Sequence, residues 1–352
     1  MKKIILITMA AIFAVGVMAQ QKMRVWKNHS LAYEEDVMQI DSITFYDEFE
    51  GALIGEFSVS ATKKVRFSKG NLIFNAMAGT HKCADGTTQK GVWRFAENQW
   101  DIVLENGNHP EISSTYDGWI DKFGWGTSGY DNTANDPFAI NYQPWSTNES
   151  PISQTSTIGG TTYQSENVNK WGYGPSTCMT ETNLIGINSY YDWGIYNPIE
   201  NGGNQPGLWR TLSIDEWDYL FYSRTNAANL SGIGIINGIN GLILLPDNWA
   251  GISGIEFTPS NHYNHQCSNF SCNTYTTDQW KEMASKGAVF LPAAGTRDDI
   301  NVFEYGEVGI YWTSTHINQD IAKRVGIDNN AEYLFYYRRC SGVTVRLVQD
   351  VK

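Results

Sequence analysis

Alternating apolar and polar residues mark the chain from residue 57 onwards. The segment FSVSATKKVRFSKGNLIF (57–74) alternates on both sides of a Lys-Lys pair, which predicts a β-hairpin. WRFAENQWDIV (93–103) predicts a further strand region after a loop rich in Gly and Thr. Closing antiparallel strands are predicted at YWTST (311–315), RVGID (324–328), YLFYY (333–337) and GVTVRLV (342–348).

Two segments have the spacing of amphipathic helices. SIDEWDYLFYSR begins at Ser213 and carries Glu216 three residues later, so each side chain can accept a backbone N–H in a capping box. TTDQWKEMASKG repeats this arrangement with Thr276 and Gln279, and Gly287 marks its end. The faces expected to be buried hold Ile214, Trp217, Leu220 and Phe221 in the first helix, and Trp280, Met283 and Ala284 in the second.

Each predicted helix leads into a short apolar run. GLILLPDNW (241–249) and GAVFLPAAG (287–295) predict buried strands. We expect these strands to end at Pro246 and Pro292, because proline cannot donate a hydrogen bond to a sheet ladder.

The N-terminus predicts export. Residues 1–19 hold two lysines, an apolar stretch and a small residue, the pattern of a secretory signal peptide. The apolar stretch is too short for a bilayer and no cysteine follows it, so neither membrane insertion nor a lipoprotein is expected. The protein should be secreted, periplasmic or at the cell surface. We expect a small β segment at 20–50 and one domain at 51–352.

Composition supports a β-rich exported protein with many loops. Only 18% of the residues are charged, and Gly, Trp and Tyr are abundant, with 33, 13 and 19 copies. Residues 104–206 carry scattered tryptophans, and we expect long ordered loops there because large rings are usually buried at least in part. The net charge of -12 argues against a nucleic-acid partner, since phosphates would repel the chain.

Eight blocks occur in order within residues 57–348: VRFSKGNLIF, WRFAENQWD, WIDKFGWGTSGYD, LWRTLSIDEWDYLFYSR, NGLILLPDNW, GAVFLPAAGTR, YWTST and SGVTVRLV. Together they resemble a family of exported Bacteroidetes proteins of the Fibrobacter major paralogous domain type. The N-terminal IDSITFYD also resembles a leader segment of such proteins.

This family is similar to the C-type lectin-like fold in its formylglycine-generating-enzyme form. The similarity lies in the helix start with Glu-Trp, the late Tyr-Trp-x-Ser/Thr strand and the terminal Gly-x-x-Val-Arg strand. It implies an α+β scaffold with two helices, twisted antiparallel strands and long irregular loops. It implies no settled activity, because one fold serves many functions.

The same resemblance implies a ligand-binding face in the late loops and strands. Its candidate residues are Trp312, Thr313, Thr315, His316, Asn318, Tyr333, Tyr336, Tyr337 and Arg338. Rings, hydroxyls and amides recognise sugars or protein surfaces at low entropic cost. Core packing is the alternative for the tyrosines, and it is favoured for Trp312, which occupies the recurrent strand position.

HYNHQCSNFSC (262–272) concentrates histidine and cysteine in a loop that we expect to be inserted at 258–275. A local disulfide between Cys267 and Cys272 would restrict this polar loop, and it is the favoured interpretation. Zinc bound by these cysteines with His262 and His265 is an alternative, although the spacing fits no common zinc motif. Formylglycine-generating enzymes use a cysteine pair with the same spacing, but their pair lies later in the chain.

The lectin-like fold also raises the question of calcium. The usual Glu-Pro-Asn or Gln-Pro-Asp triplets are absent, so no motif supports a calcium site, and we expect no cofactor. Asp328, Asn329 and Asn330 could supply oxygen ligands, or they could form a β-turn. Asp247-Asn248-Trp249 follows a buried strand and predicts a turn.

These patterns favour non-catalytic binding of a glycan or a cell-surface protein. No GxSxG or His-Glu-x-x-His motif is present, so an enzyme on this scaffold, acting on carbohydrate or oxidising a peptide cysteine, is the alternative hypothesis. A structural part of a surface assembly is the third.

Overall fold

The computed structural model describes residues 22–27, 30–37, 50–130, 143–145, 152–158, 161–168, 183–262, 264–266, 269–318 and 321–351. The fold is α+β, with many short strands and few helices. The chain divides into two compact units, Met1–Glu48 and Phe49–Lys352. Among the described residues, no helix is long and apolar enough to cross a membrane.

The first unit contains an antiparallel hairpin of β1 (Lys22–Lys27) and β2 (Ser30–Asp36). On β2, the Glu34 carboxylate accepts hydrogen bonds from Lys22 Nζ at 2.7 Å and from Arg24 Nε at 2.5 Å. These two cations, with the Lys22 hydrogen bond contributing most, lower the pKa of Glu34.

The second unit holds nineteen of the strands that the structure describes. In chain order they are β3 (Phe57–Ser58), β4 (Lys64–Phe67), β5 (Leu72–Lys82), β6 (Thr88–Phe95), β7 (Gly107–Asn108), β8 (Ile152–Ile158), β9 (Thr161–Val168), β10 (Ser231–Ile236), β11 (Ile239–Leu244), β12 (Ser260–Asn261), β13 (Asn264–His265), β14 (Thr274–Tyr275), β15 (Val289–Pro292), β16 (Thr296–Asp298), β17 (Asn301–Phe303), β18 (Gly309–His316), β19 (Ile321–Ile327), β20 (Glu332–Arg338) and β21 (Val348–Asp350).

The helices are short. The α-helices are α1 (Trp193–Tyr196), α2 (Ile214–Asp218) and α3 (Thr277–Ser285). A π-helical turn, Tyr219–Ser223, continues α2. Short 3-10 helices lie at Gly186–Tyr191, Ala227–Asn229 and Phe270–Cys272.

Two of the sheets organise this unit. One has the order β13-β12-β10-β11-β15, with β14 also paired to β10. The other has the order β18-β19-β20 and is antiparallel throughout. The remaining strands form the groups β21-β4-β3, β16-β17-β7, β5-β6 and β8-β9.

The predicted hairpin and the two apolar strands are confirmed. β3 and β4 pair antiparallel across the turn that contains the Lys-Lys pair. β11 and β15 are fully paired neighbours, with Leu242 opposite Leu291, and both of these side chains are buried. Pro292 ends β15 at the outer side of the sheet, where its missing N–H costs no ladder hydrogen bond.

Both predicted capping boxes are present. Ser213 Oγ accepts from the Glu216 N–H at 3.2 Å, and Glu216 Oε2 accepts from the Ser213 N–H at 2.9 Å. Thr276 and Gln279 make the equivalent pair at 3.3 and 3.0 Å. The first helix is shorter than its pattern predicts, because its second half widens into the π-helical turn.

The loops of residues 104–206 contain structure that the sequence pattern did not predict. Trp125 and Trp193 are fully buried, as expected for large rings. Trp193 begins α1, whose first turn is capped by the Asp192 carboxylate accepting from Gly194 N–H. A four-residue helix is too short to leave a 3.6-residue pattern, so it could not be read from spacing.

The loop at 258–275 is more integrated than a simple insertion. It supplies β12, β13 and β14, and two of these run parallel to β10, which corrects the expectation of antiparallel strands throughout. Asn273 is buried, and its Nδ2 donates to the carbonyls of Ile233 and Thr258 at 2.8 Å each. The amide side chains therefore act as internal hydrogen-bonding groups.

The closing strands separate two apolar cores. Along β18, Ile310 and Trp312 point into one core, while Tyr311 points into the other with Val325 of β19. In place of the predicted strand at 342–348, Gly342, Val343 and Thr344 form isolated bridges, residues 345–347 belong to no strand, and Val348 begins β21. Val343, Val345 and Leu347 of this segment belong to the same core as Ile310 and Trp312, and Thr344 bridges to Tyr311 of β18.

Candidate functional site

Two of the predicted binding residues lie in the interior. Trp312 is 1% exposed, and its Nε1 donates to the Phe123 carbonyl at 2.7 Å. Thr313 is also buried, and its hydroxyl donates to the Lys323 carbonyl at 2.9 Å. The core position favoured for Trp312 is therefore confirmed, and Thr313 is a correction, because its enclosed side chain is not placed to contact a ligand.

Three further candidates fix neighbouring segments. Thr315 Oγ1 accepts from the Ile214 N–H at 3.0 Å and so holds the start of α2. His316 approaches Asn183 Oδ1 with both its backbone N–H and its Nδ1, each at 3.2 Å. Asn318 is exposed, and its side chain accepts a backbone N–H within the β18–β19 turn. These residues shape the end of the sheet.

Two of the three predicted tyrosines of β20, Tyr333 and Tyr337, lie on one strand face together with Phe335. Tyr333, Phe335 and Tyr337 alternate along β20, and Phe335 lies opposite Arg324 of β19. The guanidinium carbon of Arg324 is 5.8, 5.9 and 4.7 Å from the three ring centroids, in that order. We call Tyr333, Phe335 and Tyr337 the aromatic face.

Arg324 holds these rings in place. Its side chain is 8% exposed, its Nε donates to the Tyr336 carbonyl at 3.4 Å, and its Nη1 forms no hydrogen bond to any described residue. A desolvated cation over ring faces gains about 2 kcal/mol, which offsets part of its lost hydration. The rings therefore have defined positions before any ligand arrives.

Apolar surface is exposed beside this cation. Phe335 and Tyr336 are 46% and 44% exposed, and their rings stack at 4.4 Å with an angle of 14° between the planes. Arg338, also exposed, ends the strand. In the described part of the chain, β20 has a strand neighbour only on its β19 side. Half-exposed rings at a sheet edge suit contact with another molecule.

Gly326 positions one ring of the aromatic face. It lies opposite Tyr333 in the β19–β20 register. A Cβ at this position would come within 2.3 Å of the Tyr333 ring. The ring therefore lies directly over the glycine, and a larger residue would push it away from the sheet.

Burial and nearby charges shift the pKa values of the two tyrosines in the aromatic face. Burial raises the pKa of Tyr337, Asp298 raises it further, Arg324 lowers it, and Glu304 raises it. Burial also raises the pKa of Tyr333, and the positive charge of Arg324 lowers it by a smaller amount. Burial is the largest cause for both tyrosines, and Arg324 is the cation that lies over their rings.

The sequence reasoning missed Phe335 and Arg324. The period of two in YLFYY would have placed Phe335 between Tyr333 and Tyr337 on one face. No local signal pairs Arg324 with them, since strand register depends on the turn between β19 and β20. Tyr336 and Arg338, two of the candidate ligand-binding residues, are exposed.

Glu332 links the aromatic strand to the segment around His262. The carboxylate is buried at the start of β20, and its Oε1 accepts from the His262 N–H at 3.4 Å. Burial, opposed by backbone hydrogen bonds, raises the pKa of Glu332 to about 7. The His262 ring is 5.7 Å from the Tyr222 ring in an edge arrangement.

Glu332→Gln should stabilise the protein only at higher pH. The folded pKa of about 7 exceeds the unfolded value of about 4.3, so the wild type loses stability as the pH rises between them. The variant has no such loss. We expect its free energy of unfolding to match the wild type near pH 4 and to exceed it by about 3 kcal/mol at pH 8. Urea unfolding at both pH values measures this.

The matched control is Glu282→Gln, at an exposed position on α3. It should leave the pH profile of stability unchanged. Equal effects of Glu332→Gln at both pH values would contradict the assignment of Glu332 as a buried acid.

The His and Cys loop does not offer the full zinc ligand set. Cys272 is disulfide-bonded, so its thiolate is not available to a metal. Its predicted partner Cys267 lies outside the described residues, and their pairing stays a prediction. His262 is exposed, and only the backbone of His265 is described. Cys83 and Cys340 are buried.

The alternative calcium ligands form a turn. Asp328 Oδ1 accepts from the N–H groups of Asn330 at 2.8 Å and Ala331 at 3.3 Å. Asn329 Oδ1 accepts from the Asn330 side chain. The β-turn interpretation is confirmed. Within the described ranges, no group of three or more His, Cys, Asp or Glu is placed to hold a metal ion.

The comparisons identify no relative. No protein-family model matches the chain, and no curated protein or solved structure is significantly similar to it.

Proposed function

We propose that this protein is an exported, non-catalytic binding protein that holds a glycan on the aromatic face. The observation that carries the proposal is the row of Tyr333, Phe335 and Tyr337 over the buried cation Arg324. The scaffold in this proposal is a C-type lectin-like domain of the formylglycine-generating-enzyme form, in the Bacteroidetes family that the sequence resembles.

Sugars combine flat C–H surfaces with a rim of hydroxyls. Half-exposed rings can cover the C–H surface, and the exposed Tyr336 and Arg338 carry polar groups that can hydrogen-bond to the hydroxyls. Rings that Arg324 already orders lose little conformational entropy when a ligand binds. This geometry therefore favours a neutral or weakly polar sugar over a highly charged partner.

Two further features support the proposal. The late strands that carry the face are those in which lectin-like domains present their ligand site. The disulfide at Cys272 fits an oxidising compartment outside the cytosol, as the predicted signal peptide requires.

A glycan array tests the function. The purified chain should bind at least one neutral glycan saturably, and Phe335→Ala and Tyr337→Ala should each weaken that binding by about tenfold. Leu208→Ala removes an exposed apolar side chain elsewhere and is the matched control, which should bind like the wild type. Binding that Phe335→Ala leaves intact would place the sugar elsewhere.

A protein partner is the second candidate. One side of β20 has no strand neighbour among the described residues, and such an edge can accept an added strand from a partner. The glycan array distinguishes a sugar ligand from a protein partner. If the protein binds no glycan on the array but binds a surface protein through β20, strand addition is the better explanation.

A further inference from the structure

A cavity of about 730 Å³ lies away from the aromatic face. It is bounded by the turn after β3, the segment from Leu184 to Ile195, the start of α2 and the end of β21. Volumes of about 300–1,000 Å³ are typical of small-molecule sites. Its walls are mainly apolar, with Val59, Leu184, Ile185 and Ile195 contributing side chains.

Negative charge exceeds positive charge along these walls. The two cations are Lys63 and Arg210, and the carboxylates are Asp192, Asp215, Glu216 and Asp350. Arg210 is already engaged, since its Nη1 and Nη2 each lie 2.8 Å from Glu216 and Nη2 lies 2.6 Å from Asp350. Among the lining residues, this leaves one cation, Lys63, and two carboxylates, Asp192 and Asp215.

Asp192 and Thr211 form the polar part of the wall. Asp192 is buried, and its two oxygens accept from the backbone N–H groups of Gly194 at 3.1 Å and Thr211 at 2.8 Å. Thr211 is 3% exposed, and its hydroxyl forms no hydrogen bond to a described residue. That hydroxyl nevertheless lies near enough to lower the pKa of Asp192, against the larger effect of burial.

We propose that this cavity binds a small organic ammonium ion with an apolar body. The ammonium group would donate to the Asp192 carboxylate and the Thr211 hydroxyl, which supply the acceptors it requires. The apolar body would cover Val59, Leu184 and Ile195. The four carboxylates of the lining would repel an anionic ligand, and a neutral ligand would add no positive charge to offset their excess over the two cations.

Three probes of equal shape test the charge preference. Calorimetric titration of the purified chain with 4-phenylbutylamine should show saturable binding at least about tenfold tighter than 4-phenylbutanol. The carboxylate 4-phenylbutyrate should bind more weakly than the alcohol. Equal binding of all three, tighter binding of the carboxylate or no binding of the amine would overturn the proposal.

Variants locate the amine. Ile185→Lys places a cation at the cavity wall and should weaken amine binding by about tenfold, whereas Ile187→Lys, at a 92% exposed position outside the wall, should leave it unchanged. Thr211→Val keeps the shape and removes the hydroxyl, so it should weaken the amine by about tenfold without lowering Tm. Equal effects of the two lysine variants, or unchanged binding in Thr211→Val, would contradict the site.

Glycan binding at the aromatic face should stay unchanged in all three variants, because the cavity is lined by other residues.

Discussion

Trp312→Ala should lower the free energy of unfolding by about 3–5 kcal/mol, as expected when a large buried ring is removed from a packed core. Trp312 belongs to the core that also contains Ile310 and Phe123, and its indole N–H has a backbone partner there. The substitution leaves a cavity and frees the Phe123 carbonyl from its hydrogen bond. Urea unfolding followed by fluorescence measures the loss.

Phe335→Ala, on β20 of the same sheet, is the matched comparison. Its ring is 46% exposed, so the variant should change the free energy of unfolding by no more than about 1 kcal/mol. The two variants therefore separate core packing from the aromatic face. A small stability loss in Trp312→Ala would contradict the core assignment.

Asp247→Ala is the second substitution expected to be severe, at about 3–5 kcal/mol. Asp247 accepts from the Ser58 hydroxyl at 2.7 Å and from Arg224 Nη1 at 3.2 Å. The Arg224 side chain is almost fully buried, and this burial lowers its pKa to about 10 despite Asp247. Without the carboxylate, the buried guanidinium keeps its desolvation cost and loses its ion pair.

The loss of stability in acid provides a second, independent test of the role of Asp247. Burial raises the pKa of Asp247, but the hydrogen bonds from Ser58 and the Arg224 charge together bring it below its ordinary value. Its contribution is therefore present above the unfolded pKa of about 3.9 and is lost as the pH falls through the lower folded value. Asp247→Ala should lack this part of the acid transition.

Asp350→Ala is the control for ion-pair removal. Asp350 is 2.6 Å from Arg210, but its side chain is 61% exposed, so its loss should cost about 0–1 kcal/mol. Similar effects of the two variants would contradict the buried role of Asp247.

Much of the fold could be predicted from local chemistry. The capping residues Ser213 and Thr276 have fixed partners three residues later, so the helix starts required no knowledge of tertiary structure. The apolar runs of β11 and β15 were equally clear, since a continuous apolar stretch bounded by proline suits a buried strand. What the pattern could not give was the pairing of strands, including the parallel contacts of β12 and β14 with β10.

The candidate site was only partly predictable. The position of Trp312 in a recurrent strand indicated its burial, and YLFYY indicated surface rings. Arg324, by contrast, meets those rings only because of strand register, and the cavity beside Asp192 joins segments separated by more than a hundred residues. Such distant contacts leave no trace in local spacing. The proposed binding face therefore lies on β20 and not at Thr315 and His316, the last two residues of β18.

Oxidative footprinting with the tightest glycan from the array would test the central claim most directly. Hydroxyl radicals should modify Phe335, Tyr336 and Tyr337 in the free protein, and the glycan should protect these rings. Phe303 and Tyr33, which are exposed to a similar extent, should react equally in both states. Unchanged reactivity of Phe335 and Tyr337 in the saturated protein would show that the sugar binds elsewhere, and the aromatic face would no longer be the ligand site.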